Sequence, residues 1–133
     1  MSRLNLAILI GEKSTEHEIS LRSGRSIIQA LNKEKYNVSI IGIDKNGKWF
    51  LYESEDFLDH ADDNKNICLK PSINQVYLDT DGINTYLHAK ESNKTLCQID
   101  VVFPALHGAY GEDGVVQGLF RSVNVAFVGV DLL

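Results

Sequence analysis

The sequence predicts an α/β fold, a doubly wound and mostly parallel sheet interrupted by a small antiparallel β insertion. Three observations carry this. Short, nearly continuous apolar runs at residues 4–10, 38–43 and 99–104 suit strands covered on both faces. Helical periodicity follows the first and the third of these runs, which implies right-handed crossovers between parallel strands. Between them lies a stretch of short strand-like segments punctuated by turn residues.

Taken in order, residues 4–10 (LNLAILI) end at Gly11 and belong in the centre of the sheet. Thr15 and Glu18 have the T-x-x-E spacing of a capping box, and Ile19, Ile27, Ile28 and Leu31 recur near helical period, so a helix is expected over 15–32. Its small residues Ser20, Ser23, Gly24 and Ser26 lower its intrinsic stability but allow close approach to a sheet. Residues 38–43 (VSIIGI) form the next strand, and Asn46-Gly47 supplies the positive φ angles of a type I′ turn before a strand at 49–52. Six acidic residues in 53–63 surround Phe57 and Leu58, which reads as a solvated loop or short surface helix. Segments 67–69, 76–78 and 85–87 are short antiparallel strands, with Pro71 and an Asp81-Gly82 turn between them. Residues 99–104 (IDVVFP) make a strand that stops at proline. Val115, Val116, Leu119, Phe120 and Val123 then trace one face of a helix beginning near Asp113, and 125–128 is a last strand.

With 133 residues, 44% of them hydrophobic, the chain suits one compact domain, and no internal repeat or linker divides it. Thirteen basic against eighteen acidic residues, a net charge of -5, supply no basic field for a nucleic acid. No apolar stretch approaches the length of a membrane span, and residues 1–9 lack the features of a signal peptide. A soluble, cytoplasmic protein is expected. Cys68 and Cys97 lie far apart without metal-ligand spacing and read as reduced, buried, inert thiols. A metal site within the segment is not expected.

Two polar, glycine-bearing loops follow predicted parallel strands and should emerge at the same carboxyl edge, where ligands of such sheets bind. The first, residues 11–18 (GEKSTEHE), places two carboxylates and an imidazole where a helix begins. Acidic side chains there are favoured by the helix dipole. That suffices for Glu18, which the capping box employs. Glu16 has a second reading, a carboxylate that takes the ammonium group of an amino-acid ligand. The second loop, residues 107–114 (HGAYGEDG), has a glycine at every third position, Gly108, Gly111 and Gly114, and can bring main-chain N–H groups close to a ligand. Neither loop matches the dinucleotide fingerprint or the phosphate-binding P-loop. A lone histidine is more often structural than functional. His107 differs in ending an apolar strand, preceding a glycine and sharing an edge with Glu16, whereas His60 and His88 read as surface residues. Tyr110 either covers a pocket or packs its own loop.

These loops, with YNVSIIGIDKNGKW, ICLKPS and FVGVDLL, resemble in order and across nearly the whole chain the N-terminal domain of the D-alanine–D-alanine ligase family. The pairing of S-x-E-H-E-x-S with H-G-x-x-G-E-D-G-x-x-Q-G carries the resemblance, and 49–94 is similar to the insert of the family's longer members. The resemblance implies a Rossmann-like domain preceding an ATP-grasp unit. It implies an ATP- and magnesium- or manganese-dependent ligation in which one D-alanine becomes an acyl phosphate and the amine of a second attacks it, giving the dipeptide used in peptidoglycan. By the same resemblance Glu16 holds the ammonium of the first D-alanine, Ile19 walls its methyl pocket, and His107 orients it. Gly108 counts with these as a substrate-binding residue. Glu12 stands where the family commonly has glycine, and its carboxylate is expected to point to solvent.

Residues 1–133 are thus expected to be the substrate-binding domain alone, with the two ATP-grasp domains absent, no cofactor bound, and neither ATP hydrolysis nor dipeptide synthesis by this chain. The family resemblance also implies homodimerisation through this domain, so the alternative reading is a non-catalytic interaction module. A dinucleotide-binding oxidoreductase domain is disfavoured by the missing fingerprint.

Overall fold

The computed structural model describes residues 3–11, 17–105 and 126–127. In chain order the elements are β1 (Leu4–Gly11), α1 (His17–Ala30), β2 (Tyr36–Ile43), β3 (Trp49–Tyr52), β4 (Leu58–Asp59), β5 (Cys68–Leu69), β6 (Val76–Thr80), β7 (Thr85–Ala89), β8 (Thr95–Ile99), β9 (Val101–Ala105) and β10 (Ala126–Phe127). The fold is mixed α/β. A five-stranded sheet has the order β10-β9-β1-β2-β3; β10, β9, β1 and β2 run parallel and β3 returns antiparallel to β2. The first strand of the chain is therefore central, as its apolar run predicts.

Alternation along β1 builds two cores. Leu6, Ile8 and Ile10 face Leu21, Ile28 and Leu31 of the helix segment together with Phe57, Leu58 and Ile67. Ala7 and Leu9 face the opposite way, where Ile41, Ile43 and Val102 meet Val76, Leu87 and Ile99. The insertion thus forms the three-stranded antiparallel sheet β6-β7-β8, which covers the face of the central sheet opposite α1. The helix expected to begin near Asp113 lies outside the described residues.

Several expectations are corrected. The buried stripe of α1 is His17, Ser20, Leu21, Gly24 and Ile28, while Ile19 is 41% exposed. Small residues make this seam: a Cβ on Gly24 would lie 2.5 Å from the Ile10 side chain, so helix and strand approach closely there. At the β2–β3 turn only Gly47 has positive φ, 84°. Asp44 Oδ1 accepts bonds from the Asn46 and Lys48 amides, each at 2.9 Å, and Gly47 N–H donates to Asp44 C=O at 3.0 Å. The carboxylate holds a three-residue turn closed by one left-handed glycine, in place of the two-residue type I′ turn.

The acidic stretch 53–63 is anchored rather than wholly solvated. Its ion pairs, Lys33–Glu55 at 3.0 Å and Lys70–Asp56 at 2.7 Å, are solvent-exposed and screened, and contribute little. Burial of Phe57 and Leu58 outweighs them at about 1.5–3 kcal/mol apiece. Residues 99–104 are not one strand. Ile99 ends β8, the chain changes sheets at Asp100, and β9 runs on through Pro104 to Ala105. The change is fixed by a reciprocal pair: Asn5 N–H donates to Asp100 Oδ2 and Asp100 N–H to Asn5 C=O, both at 2.8 Å.

The thiols and histidines divide. Cys68 is exposed because β5 turns it outward while Ile67 goes inward; Cys97 is half-buried, and burial pushes its thiol up. His60 is exposed, but the His88 side chain is only 13% exposed, lying between the Tyr77 and Tyr86 rings with Nδ1 3.1 Å from Thr95 Oγ1. No helix among the described residues is long and apolar enough to cross a membrane.

Tyr52 donates to the Lys70 carbonyl at 2.7 Å, and burial, with Asp44 and Cys68 adding, pushes its hydroxyl up to about 12. The unfolded chain releases this proton near pH 10 and the folded chain holds it longer. Stability is therefore full below pH 10 and falls as pH rises from there toward 12. Ultraviolet titration should show a tyrosinate appearing near pH 12, and Tyr52→Phe should abolish that step; its persistence in the variant contradicts the assignment.

Candidate functional site

The order of the sheet locates a crevice. From β1 the chain crosses by α1 to β2 on one side, whereas β9 and β10 lie on the other side, so the strand order reverses between β1 and β9. At such a switch point the carboxyl ends of two neighbouring parallel strands diverge and leave room for a ligand. Here β1 and β9 stay in register from Leu6↔Val101 to Ile10↔Ala105.

At Ile10↔Ala105 a side chain joins the end of the ladder. Ser20, fully buried in the first turns of α1, accepts from the Gly11 N–H through Oγ at 2.9 Å and donates to the Ala105 carbonyl. A hydroxyl mid-helix ordinarily bonds back to its own helix. This one instead joins the ends of two strands. His17, 4% exposed, begins α1 with its ring against Gly11, which has φ of 81°.

Around this point Glu18 Oε1 lies 3.6 Å from Nζ of Lys45 in the β2–β3 turn. Its Oε2 is buried without a hydrogen-bond partner among the described residues. Ile19 presents an exposed apolar side chain beside them in sequence. Of the residues singled out in the sequence, Glu12, Thr15, Glu16, His107, Gly108 and Tyr110 lie outside the described residues. In sequence Glu16 immediately precedes α1 and His107 lies just beyond β9, so the segments carrying them adjoin the ends of neighbouring strands. The sequence marks Ser20 as a small helix residue and His17 as an imidazole of the first loop, but apolar periodicity gives no weight to a buried hydroxyl or imidazole, so the burial of their polar groups at the strand ends is not foreseen.

An open depression of about 610 Å³ lies elsewhere, between Lys48–Trp49 and the β6–β7 layer, with Val76, Leu78 and Lys90 in its wall. It shares no residue with β1, α1 or β9 and is not the switch-point crevice. Among the described residues no three His, Cys, Asp or Glu side chains gather as a metal ion would require.

These features define a mixed α/β domain built on a mostly parallel central sheet. Residues 5–130 match the family described as D-ala D-ala ligase N-terminus, and the chain belongs to that family. It is 41% identical over 133 residues to D-alanine--D-alanine ligase A of Chromobacterium violaceum, covering all of this chain and 36% of that protein. The chain thus spans about a third of the length of the curated relatives it matches. Among solved structures, the D-alanine-D-alanine ligase of Coxiella burnetii superposes with a TM-score of 0.74 at 29% identity, over 95% of this chain and 35% of that one. The D-Ala:D-Ser ligase VanG of Enterococcus faecalis gives 0.72 at 29%, over 96% and 36%.

Proposed function

We propose that residues 1–133 form the N-terminal, substrate-binding domain of a cytoplasmic, ATP-dependent D-alanine–D-alanine ligase, in which Glu16 holds the ammonium group of the first D-alanine. The observation that carries this reading is the parallel pairing of β1 with β9 at the switch point, with the two family motifs running on from those strands. His107 orients the same substrate, Gly108 brings main-chain N–H toward it, and Ile19 faces its methyl group. Their work is positional: holding one reactant in line removes entropy from the reaction step. ATP and its magnesium belong to further domains of the whole enzyme, which supply the phosphoryl chemistry of peptidoglycan dipeptide synthesis, and the protein dimerises.

Dipeptide synthesis tests the reading. A polypeptide of the relatives' full length makes D-alanyl-D-alanine from D-alanine and ATP, and the 133-residue chain alone makes none. Glu16→Gln removes a charge-assisted bond worth about 1.5–3 kcal/mol, so KM for the first D-alanine rises about ten- to hundred-fold. Turnover by the short chain, or an unchanged KM in the variant, overturns the assignment.

A further inference from the structure

We infer that the depression between the β2–β3 turn and the β6–β7 layer binds a small organic anion, a flat apolar body carrying one negatively charged head group. Its floor is apolar because of where the second core ends. Trp49 pairs with Ile43 across the β2–β3 ladder, and so lies on the same face of the central sheet as Ile43 and Ile41. Val76 is buried in that cluster, and Trp49 and Leu78 pack against it while staying only half-buried. Packing stops there, at about 610 Å³ of open space. The apolar surface left facing it is what the body of a ligand would cover.

The wall is fixed and basic. The Lys48 N–H donates to Asp44 Oδ1 at 2.9 Å and its C=O accepts the Asp44 N–H at 3.0 Å, which holds this lysine in its turn. The Lys90 N–H donates to the Gln75 carbonyl at 2.8 Å. Beside it Tyr77 donates to Asn93 Oδ1 at 2.8 Å, with Asn93 at a φ of 56°. Among the described residues neither the Lys48 nor the Lys90 ammonium is paired with a carboxylate, whereas Lys33, Lys45 and Lys70 each are. No described carboxylate lines the depression, and the acid of β6, Asp79, lies 3.6 Å from His88 Nε2 instead. Four smaller depressions differ: each has Glu53, Glu55 or both in its wall. In a chain of net charge -5, two unneutralised lysines beside an apolar floor make a local field that favours an anion and repels a cation. Lysine acts as a point charge, so it anchors a head group, while the indole of Trp49 favours a flat body.

Trp49 is the chain's single tryptophan, so the emission of the 133-residue protein reports on this depression. 4-Phenylbutyrate should change that emission saturably, with half-saturation at about 1 mM or below. 4-Phenylbutyramide, the same body without the charge, should bind about three- to twenty-fold more weakly. Acetate, the head without the body, should bind more weakly by about tenfold or more. Lys48→Gln combined with Lys90→Gln should bring the carboxylate down to the affinity of the amide, and because both side chains are exposed the fold should persist. Lys65→Gln, exposed and outside the depression, should leave binding unchanged. No saturable change, an amide or acetate that binds as tightly as the carboxylate, or equal losses in the double variant and in Lys65→Gln overturns the assignment. Calorimetric titration of a polypeptide of the relatives' full length should give the same affinity. Binding by the short chain alone would mean that the rest of the enzyme covers the depression, and the ligand site falls. Dipeptide synthesis plays no part in these readouts, so the ligase reading and this site stand or fall separately.

Discussion

Truncating Leu9 to alanine should lower the unfolding free energy by about 2–5 kcal/mol, read as a fall in the urea midpoint with unchanged slope. Leu9 is fully buried on the central strand, paired with Ile41 on one side and Pro104 on the other. It also packs into the cluster shared with the β6-β7-β8 layer. Neighbours fixed by two ladders and a second sheet cannot collapse into the space left behind, so the cavity cost adds to the lost burial. Leu96, 41% exposed on β8, is the control and should cost about 0.5 kcal/mol or less on truncation. Equal losses at the two positions would mean that the insertion does not pack against the central sheet. Against a typical domain stability of about 5–15 kcal/mol, the Leu9 change alone approaches the threshold of unfolding.

Gly11→Ala should be comparably damaging, at about 2–5 kcal/mol, for a different reason. With φ of 81°, the residue sits where an L side chain is strained by about 1–2 kcal/mol. A Cβ there would also lie 2.4 Å from the Ile43 carbonyl oxygen, a backbone atom held in the β1–β2 ladder. Alanine loses less chain entropy on folding, but that gain is only about 0.4–1 kcal/mol. Gly82 separates the two penalties: its φ is 93°, yet nothing lies within 4 Å of its Cβ position. Gly82→Ala should therefore show the strain alone, and the difference between the variants in urea unfolding reports the collision with Ile43. Equal losses would refute the steric contribution.

What the sequence made legible was what apolar spacing encodes. The runs at β1, β2 and β9 identified parallel strands and put β1 at the centre, and Thr85 to Leu87 marked β7 within the insertion. Where burial is achieved without apolar residues the signal fails. Apolar spacing puts Ile19 on the inner stripe of α1, yet it is 41% exposed, and the small residues Ser20 and Gly24, which the sequence marks as allowing close approach, are the ones that press on the sheet. β8 was missed because only Ile99 is fully buried along it, and that residue merged with the apolar run of β9. The pairing of β1 with β9 was legible as a shared edge, since both run parallel and end together. The tie through Ser20 was not, because a serine inside a helix gives no hint that its hydroxyl will serve two strands far away in sequence. The side chains of Glu16 and His107 lie outside the described residues, so the shared edge, not their contact, is what the register supports.

The central place of β1 bears on synthesis. Asn5 and Asp100, which join the amino-terminal ends of β1 and β9, stand 95 positions apart. While the nascent chain lengthens on the ribosome, β2 can pair with one flank of β1 early. The other flank keeps a row of open amides and carbonyls beside a strongly apolar strand until residue 105 has emerged. Such an unpaired flank is a template for association with other chains. Completion of the central sheet therefore waits on the synthesis of β9, long after β1 and β2 have left the ribosome.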